Sequence, residues 1–421
     1  MITYFKSQKS YFKHLFPIFV KKATIVSFLI SIIIILFSTS PDIFLDKQDD
    51  KNILLIVLMI FSTIFLLFLK KLYRPDLYFL YFLVSLIFTT IFNHPESLRL
   101  QTILYTILFG FTFVAYEHLL KQDLFSAKQY LNILKLLLVT YFIFLIIQQF
   151  CVLTGLPVIL AGNYNIEDQF KLSSIAAEPS HLALNVTIIM YSYITIKELI
   201  IGRKYNILSD FKEDIFIWIS FLWCIIFSNS ATSLILLLIF IIKFVSINNF
   251  KFLIVGLTII SCILPLIDIN TFERVSIFLN SLLTLDIQKI ILSDHSASYR
   301  FVPAMMIFQK IDMSTLNGWF GYGIGYVSSF LHLEIPGTPE GYSTGGIMIL
   351  WIEYGFIPFI LFLIFSFSAI HIRKMVMPIL FLFVFLFFGN GINTQLVWLS
   401  FLLMFTNKYF YLHSKNIYHK M

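Results

Sequence analysis

Long apolar runs, each closed by a few polar or basic residues, recur along nearly the whole chain. Six occupy 23–40, 52–69, 76–92, 102–120, 131–154 and 181–200, and six more, several of them shorter, occupy 214–228, 231–245, 252–267, 345–370, 376–388 and 392–407. A helix of about 20 apolar residues crosses the hydrocarbon core of a bilayer with its backbone hydrogen bonds satisfied internally. The pattern therefore predicts an all-α, polytopic integral membrane protein of about twelve transmembrane helices, with 1–421 as a single membrane domain.

The polar connections add an orientation. With the N-terminus in the cytoplasm and sides alternating, Lys70, Lys71, Arg74, Lys121, Lys128, Arg203, Lys204, Lys212, Arg373 and Lys374 all fall inside. Of the 30 Lys and Arg, roughly 22 lie inside and 8 outside, which predicts that both termini are cytoplasmic. The basic leader (Lys6, Lys9, Lys13, Lys21, Lys22) is followed by no small-residue cleavage site, so the first span is expected to remain as an anchor. Two outer loops are large, 155–180 and 268–344. Stretches of helical spacing over 272–292 and 298–311 predict that the second is a partly helical lid.

Composition sharpens this picture. With 59% hydrophobic and 13% charged residues, 49 Phe and 21 Tyr, the chain is far more apolar than a soluble domain. The net charge of +7 is spread between apolar runs rather than gathered on one face, which argues against a nucleic-acid partner. Cys151, Cys224 and Cys262 have neither metal-ligand nor disulfide spacing, so no metal is predicted.

Candidate chemistry sits in the outer loops. The cations available to an anionic ligand there are Arg99, Lys171, Arg274, Lys289, Arg300 and Lys310, with Arg favoured because its planar fork matches phosphate oxygens. Residues 173–183 (SSIAAEPSHLA) join the first outer loop to the next span. Pro179 suits a first helical turn, whose free N–H groups favour an anion, and Glu178 and His181 share a helix face; an acidic helix start beside an interfacial His is the plainer reading. A second group, Ser296-Ala297-Ser298-Tyr299-Arg300, precedes Gly321-Tyr322-Gly323-Ile324-Gly325, where the glycines permit a turn and close backbone approach. A third, Gly341 to Gly346, leads into a helix carrying Glu353 inside an apolar span, either a functional carboxyl or a hydrogen bond to a neighbouring helix.

In this order the three groups, with Asn229-Ser230-Ala231-Thr232-Ser233 and Glu353-Tyr354-Gly355, resemble the O-antigen polymerase and ligase superfamily of bacterial envelope glycosyltransferases. The resemblance implies a GT-C-like membrane glycosyltransferase of the bacterial inner membrane, acting at its periplasmic face on an undecaprenyl-diphosphate-linked oligosaccharide donor and acceptor, with no cofactor. It also implies membrane lipids and a polysaccharide chain-length regulator as partners. Ser343-Thr344-Gly345 stands where ligases usually have a His-Asn type motif, which favours a repeat-unit polymerase over a ligase. A lipid-linked oligosaccharide flippase is the reading from another class, and the absence of a visible internal repeat counts against it.

On the polymerase reading, Arg300, Glu178 and His181 are the candidate catalytic residues. Arg300 offsets charge on the leaving diphosphate, and Glu178 or His181 is the base, with His295 in reserve. Arg274, Lys171, His295, Tyr299, Gly321, Gly323, Gly325 and Glu353 are the candidate substrate-binding residues. Arg274 is adjacent to Glu273, so an ordinary surface ion pair is an equal reading for it.

Overall fold

The computed structural model describes residues 23–39, 53–67, 73–160 except 98, 172–244 except 229, 286–339 except 294 and 336, 345–418 except 373–375 and 390, and five positions between 277 and 284. Every regular element among them is a helix. In chain order these are α1 (Ala23–Ser38), α2 (Ile53–Leu66), α3 (Arg74–Asn93), α4 (Leu100–Leu120), α5 (Ala127–Thr154), α6 (Pro179–Ile201), α7 (Ile207–Phe227) and α8 (Ala231–Ile242). Then follow α9 (Ile287–Ser293), α10 (His295–Lys310), α11 (Leu316–Phe320), α12 (Tyr326–Glu334), α13 (Ile347–Tyr354), α14 (Phe356–Ile370), α15 (Met377–Phe388) and α16 (Gln395–Tyr418).

Local chemistry sets several helix starts. Ser126 and Gln129 form a reciprocal capping box on α5, with Gln129 N–H donating to Ser126 Oγ at 3.2 Å and Ser126 N–H to Gln129 Oε1 at 2.9 Å. Asp76 accepts the Tyr73 N–H at 2.6 Å at the start of α3. Pro179 opens α6 as its spacing predicts.

Four helices, α3 to α6, are long and apolar enough to cross a membrane, and α1, α2, α14 and α15 are shorter apolar helices. The bundle is thus a helical, membrane-type fold, short of the predicted twelve spans among the described residues. The predicted span over 252–267 lies outside them. The run over 345–370 is not one helix: it breaks at Gly355 into α13 and α14. In the predicted lid, helix runs over Ile287–Ser293 and His295–Lys310, while residues 272–276 are outside the described part.

At the centre, α6 is buried along most of its length and packs against α5, α7, α8 and α16. Beside it an aromatic core gathers around Trp398, whose ring lies 5.3 Å from Phe401, 5.9 Å from Phe79 and 6.1 Å from Phe365. Gly110 on α4 makes room for Phe79, since a Cβ there would stand inside the ring. Phe61, Val84 and Phe150 are 59–66% exposed on the outside of the bundle, a surface suited to hydrocarbon rather than water.

The two ends of the bundle differ. At one, cations are tied to acids: Arg203 clasps Asp210 with two bonds of 2.6 and 2.8 Å, Lys197 meets Asp214 at 2.6 Å and Lys243 meets Glu198 at 3.1 Å. Arg203 beside it holds the Asp210 carboxyl down to about 2. At the other end, α9, α10, α12 and α13 pack around a second small core that includes Ile290, Val302, Met306, Leu331 and Ile352. This cap carries the candidate site.

Candidate functional site

The segment leading into α6 is fixed before it reaches Glu178. Ser174 has a φ of +55°, an uncommon conformation for a residue with a side chain. Three hydrogen bonds hold it there: its N–H donates to Gln148 Oε1 at 2.8 Å, its carbonyl accepts from Gln148 Nε2 at 2.9 Å, and its Oγ donates to the Tyr141 carbonyl at 2.7 Å. Gln148 is fully buried on α5, so its amide acts as a surrogate backbone partner. Glu178 follows as the residue capping α6, with extended backbone.

Arg300 reaches this helix start from α10. Its Nη2 donates to Ser180 Oγ at 3.2 Å and lies 4.0 Å from Glu178 Oε2, while Ser180 Oγ donates to the same Glu178 oxygen at 3.2 Å. The side chains of Arg300 and Glu178 are 15% and 34% exposed, so a ligand can reach both from outside. His181 Nε2 is buried with no hydrogen-bond partner among the described residues. Sequence leaves Arg300 without a nearby acid; the fold supplies one from the far side of the chain. Fixed positive charge, a carboxylate, a hydroxyl and an imidazole in one partly covered place can offset negative charge and exchange protons.

The other predicted residues divide between several places. The Tyr299 hydroxyl pairs with Thr338 Oγ1 at 3.0 Å. The glycine segment meets the end of α13: Tyr322 N–H donates to the Ile352 carbonyl at 2.8 Å and Gly323 N–H to the Glu353 carbonyl at 3.2 Å. Gly321 must be glycine, since any Cβ would collide with the Glu353 carbonyl. The Glu353 carboxyl accepts the N–H of Val327 at 3.2 Å at the start of α12. This is the hydrogen bond to a neighbouring helix given above as one of its two readings. Arg274 and Lys171 lie outside the described residues, as does the side chain of His295.

Gly345, at the foot of α13, lies against Pro303, three residues beyond Arg300 on α10. The Arg300 group and the glycine segment thus meet opposite ends of α13 on one cap. Sequence reasoning missed Ser180 as the bridge and the turn between α3 and α4 as a wall. In that turn Ser97 Oγ accepts the Ile324 N–H at 3.0 Å and Asn93 Nδ2 donates to the Gly321 carbonyl at 2.6 Å. The signal lay in residues 93–99 (NHPESLR), a polar cluster between two apolar runs.

Searches with family models, among curated proteins and among solved structures found no match to this chain.

Proposed function

We propose that this chain is a membrane-embedded glycosyltransferase of the O-antigen polymerase and ligase type, joining undecaprenyl-diphosphate-linked repeat units at the periplasmic face of the bacterial inner membrane. The observation that carries this reading is the Arg300–Ser180–Glu178 contact. In such a reaction an acceptor hydroxyl attacks the anomeric carbon of the donor, the carbon–oxygen bond to the diphosphate breaks, and the diphosphate leaves with the electron pair. Arg300 offsets the charge that grows on it, and Ser180 steadies the guanidinium. The acceptor proton goes to Glu178 or to His181, whose free Nε2 suits that task. Neither metal nor other cofactor is called for.

Both the polar groups and the cap lie at one end of the bundle, which favours chemistry at a membrane surface over passage through it. A ligase that moves finished glycan to lipid A core or protein is the second reading, and the Ser343-Thr344-Gly345 sequence disfavours it. The test is deletion of the gene followed by gel analysis of surface polysaccharide. Loss of long chains with a single repeat unit retained supports a polymerase. Loss of all repeat units from the surface points to a ligase or flippase instead. A chain-length regulator would be the protein partner.

A further inference from the structure

Beside the Arg300 group is a separate cavity of about 280 Å³, built where three outer turns converge. The turn before α4 supplies Arg99 and Thr102, the glycine segment supplies Ile324 and Gly325, and the turn between α15 and α16 supplies Asn393 and Thr394; α13 forms the remaining wall. The polar groups are arranged as a site. Arg99 is exposed at the rim, with Nη2 only 2.7 Å from where a Cβ on Gly325 would stand, so the guanidinium is laid across a glycine that leaves it room. Tyr354 is 3% exposed and lines the cavity, yet its hydroxyl is buried with no hydrogen-bond partner among the described residues. A buried hydroxyl left unpaired costs about 1–3 kcal/mol, so a ligand in the cavity that draws the Tyr354 hydroxyl to one of its own polar atoms recovers that cost.

The chemistry of the walls narrows the occupant. Hydroxyls of Thr102, Tyr354 and Thr394 and the amide of Asn393 are neutral, and Ile349 and Leu350 present aliphatic surface. Such a mixture suits a sugar ring, which has hydroxyls on its edge and C–H groups on its faces. A volume near 280 Å³ sits at the small end of ligand pockets, about 300 Å³, and holds one ring with a substituent rather than a chain. One cation at the rim selects a single acidic substituent; a bare diphosphate would call for several. The Glu353 carboxyl in the wall accepts the Val327 N–H at the start of α12 and is also near enough to Arg99 to interact with it electrostatically.

We infer that this cavity binds one pyranose carrying an acidic group, carboxylate or phosphate, with Arg99 holding the acid and the Tyr354 hydroxyl pairing with the ring. This deepens the proposed function, since it names an acidic sugar as a unit of the glycan handled next to Arg300.

The experiment titrates purified, detergent-solubilised full-length protein with glucuronate, glucose 1-phosphate, glucose and inorganic phosphate, followed by calorimetry and by shift of the melting temperature. Glucuronate or glucose 1-phosphate is expected to bind well ahead of glucose and of inorganic phosphate, and which of the two is tighter identifies the acid. Arg99→Gln is expected to weaken the preferred sugar by about tenfold or more and to remove the preference over glucose, while Tyr354→Phe weakens acidic and neutral sugars alike. Arg99→Lys, which keeps charge but not the fork, should fall between. Absence of binding by all four probes, unchanged binding in Arg99→Gln, glucose equal to glucuronate, or inorganic phosphate equal to the sugars would each overturn the inference. Binding of free sugars requires no transfer reaction, so a negative result here leaves the polysaccharide test standing, and a negative polysaccharide test leaves a positive titration intact.

Discussion

Ser97 accepts the backbone N–H of Ile324 at 3.0 Å, which fastens the glycine segment of the cap to the turn between α3 and α4. Ser97 Oγ in turn donates to the His94 carbonyl at 2.9 Å, so a single hydroxyl joins both turns. Ser97→Ala leaves the Ile324 N–H without that partner and is expected to cost about 1–3 kcal/mol locally. Hydrogen exchange should show faster exchange at Ile324 and its neighbours, with the far end of the bundle unchanged.

The Arg300–Ser180–Glu178 group predicts a graded series in polysaccharide assays. Arg300→Ala should abolish long chains, and Arg300→Lys should retain partial activity at most, since an ammonium lacks the planar fork. Ser180→Ala should sit between wild type and Arg300→Lys, because the guanidinium keeps its carboxylate neighbour at 4.0 Å. Normal chain length in Arg300→Ala would remove Arg300 from the reaction.

Much of this arrangement was readable in the chain, in unequal parts. The apolar runs gave the existence of the helices and Pro179 gave the start of α6, whereas the cation count bore on orientation alone. The break at Gly355 was not legible, because Tyr354-Gly355-Phe356 keeps the run apolar and only the approach of the residue 319–321 backbone makes the interruption visible. Glu178 and Arg300 were expected to meet in one site, on the family resemblance rather than on any local pattern, and in the fold their side chains lie 4.0 Å apart. Their contact is set by the packing of α10 over α6, a long-range consequence that no local spacing encodes. Glu353 looked functional because ionisable groups are rare in apolar runs, and the fold gives its carboxyl a backbone N–H at the start of α12.

Gly110 offers a test of the aromatic core. Gly110→Leu would place a branched side chain where the Phe79 ring now lies and is expected to destabilise the protein by about 1–3 kcal/mol. Thermal unfolding in detergent should show the loss, and Phe79→Ala combined with Gly110→Leu should recover part of it by returning the volume.

The Arg203–Asp210 clasp predicts an acid response. Asp210 titrates near 2 in the folded protein and near 4 in an unfolded chain, so it favours folding above pH 4, and that contribution disappears as pH falls towards 2. Arg203→Ala returns the folded value towards the ordinary one. The variant's melting temperature should therefore be lower than that of wild type at pH 7, and the gap should close on acidification through this range.

Orientation can be checked at the two ends directly. In a background lacking native cysteines, Glu96→Cys and Lys204→Cys should label from opposite sides of the membrane with an impermeant reagent, since Glu96 precedes α4 at the capped end and Lys204 follows α6 at the other. Labelling from the same side would refute the alternation.

The back-to-back meeting of Gly321 and Gly355 has a mechanical consequence. A Cβ on Gly355 would strike the Trp319 carbonyl, and one on Gly321 the Glu353 carbonyl, so main chain rests on main chain with nothing compressible in between. A joint of that kind has no side-chain rotamers through which to yield. A displacement of this joint is therefore expected to carry α11, α13 and α14 together rather than to slide one past another.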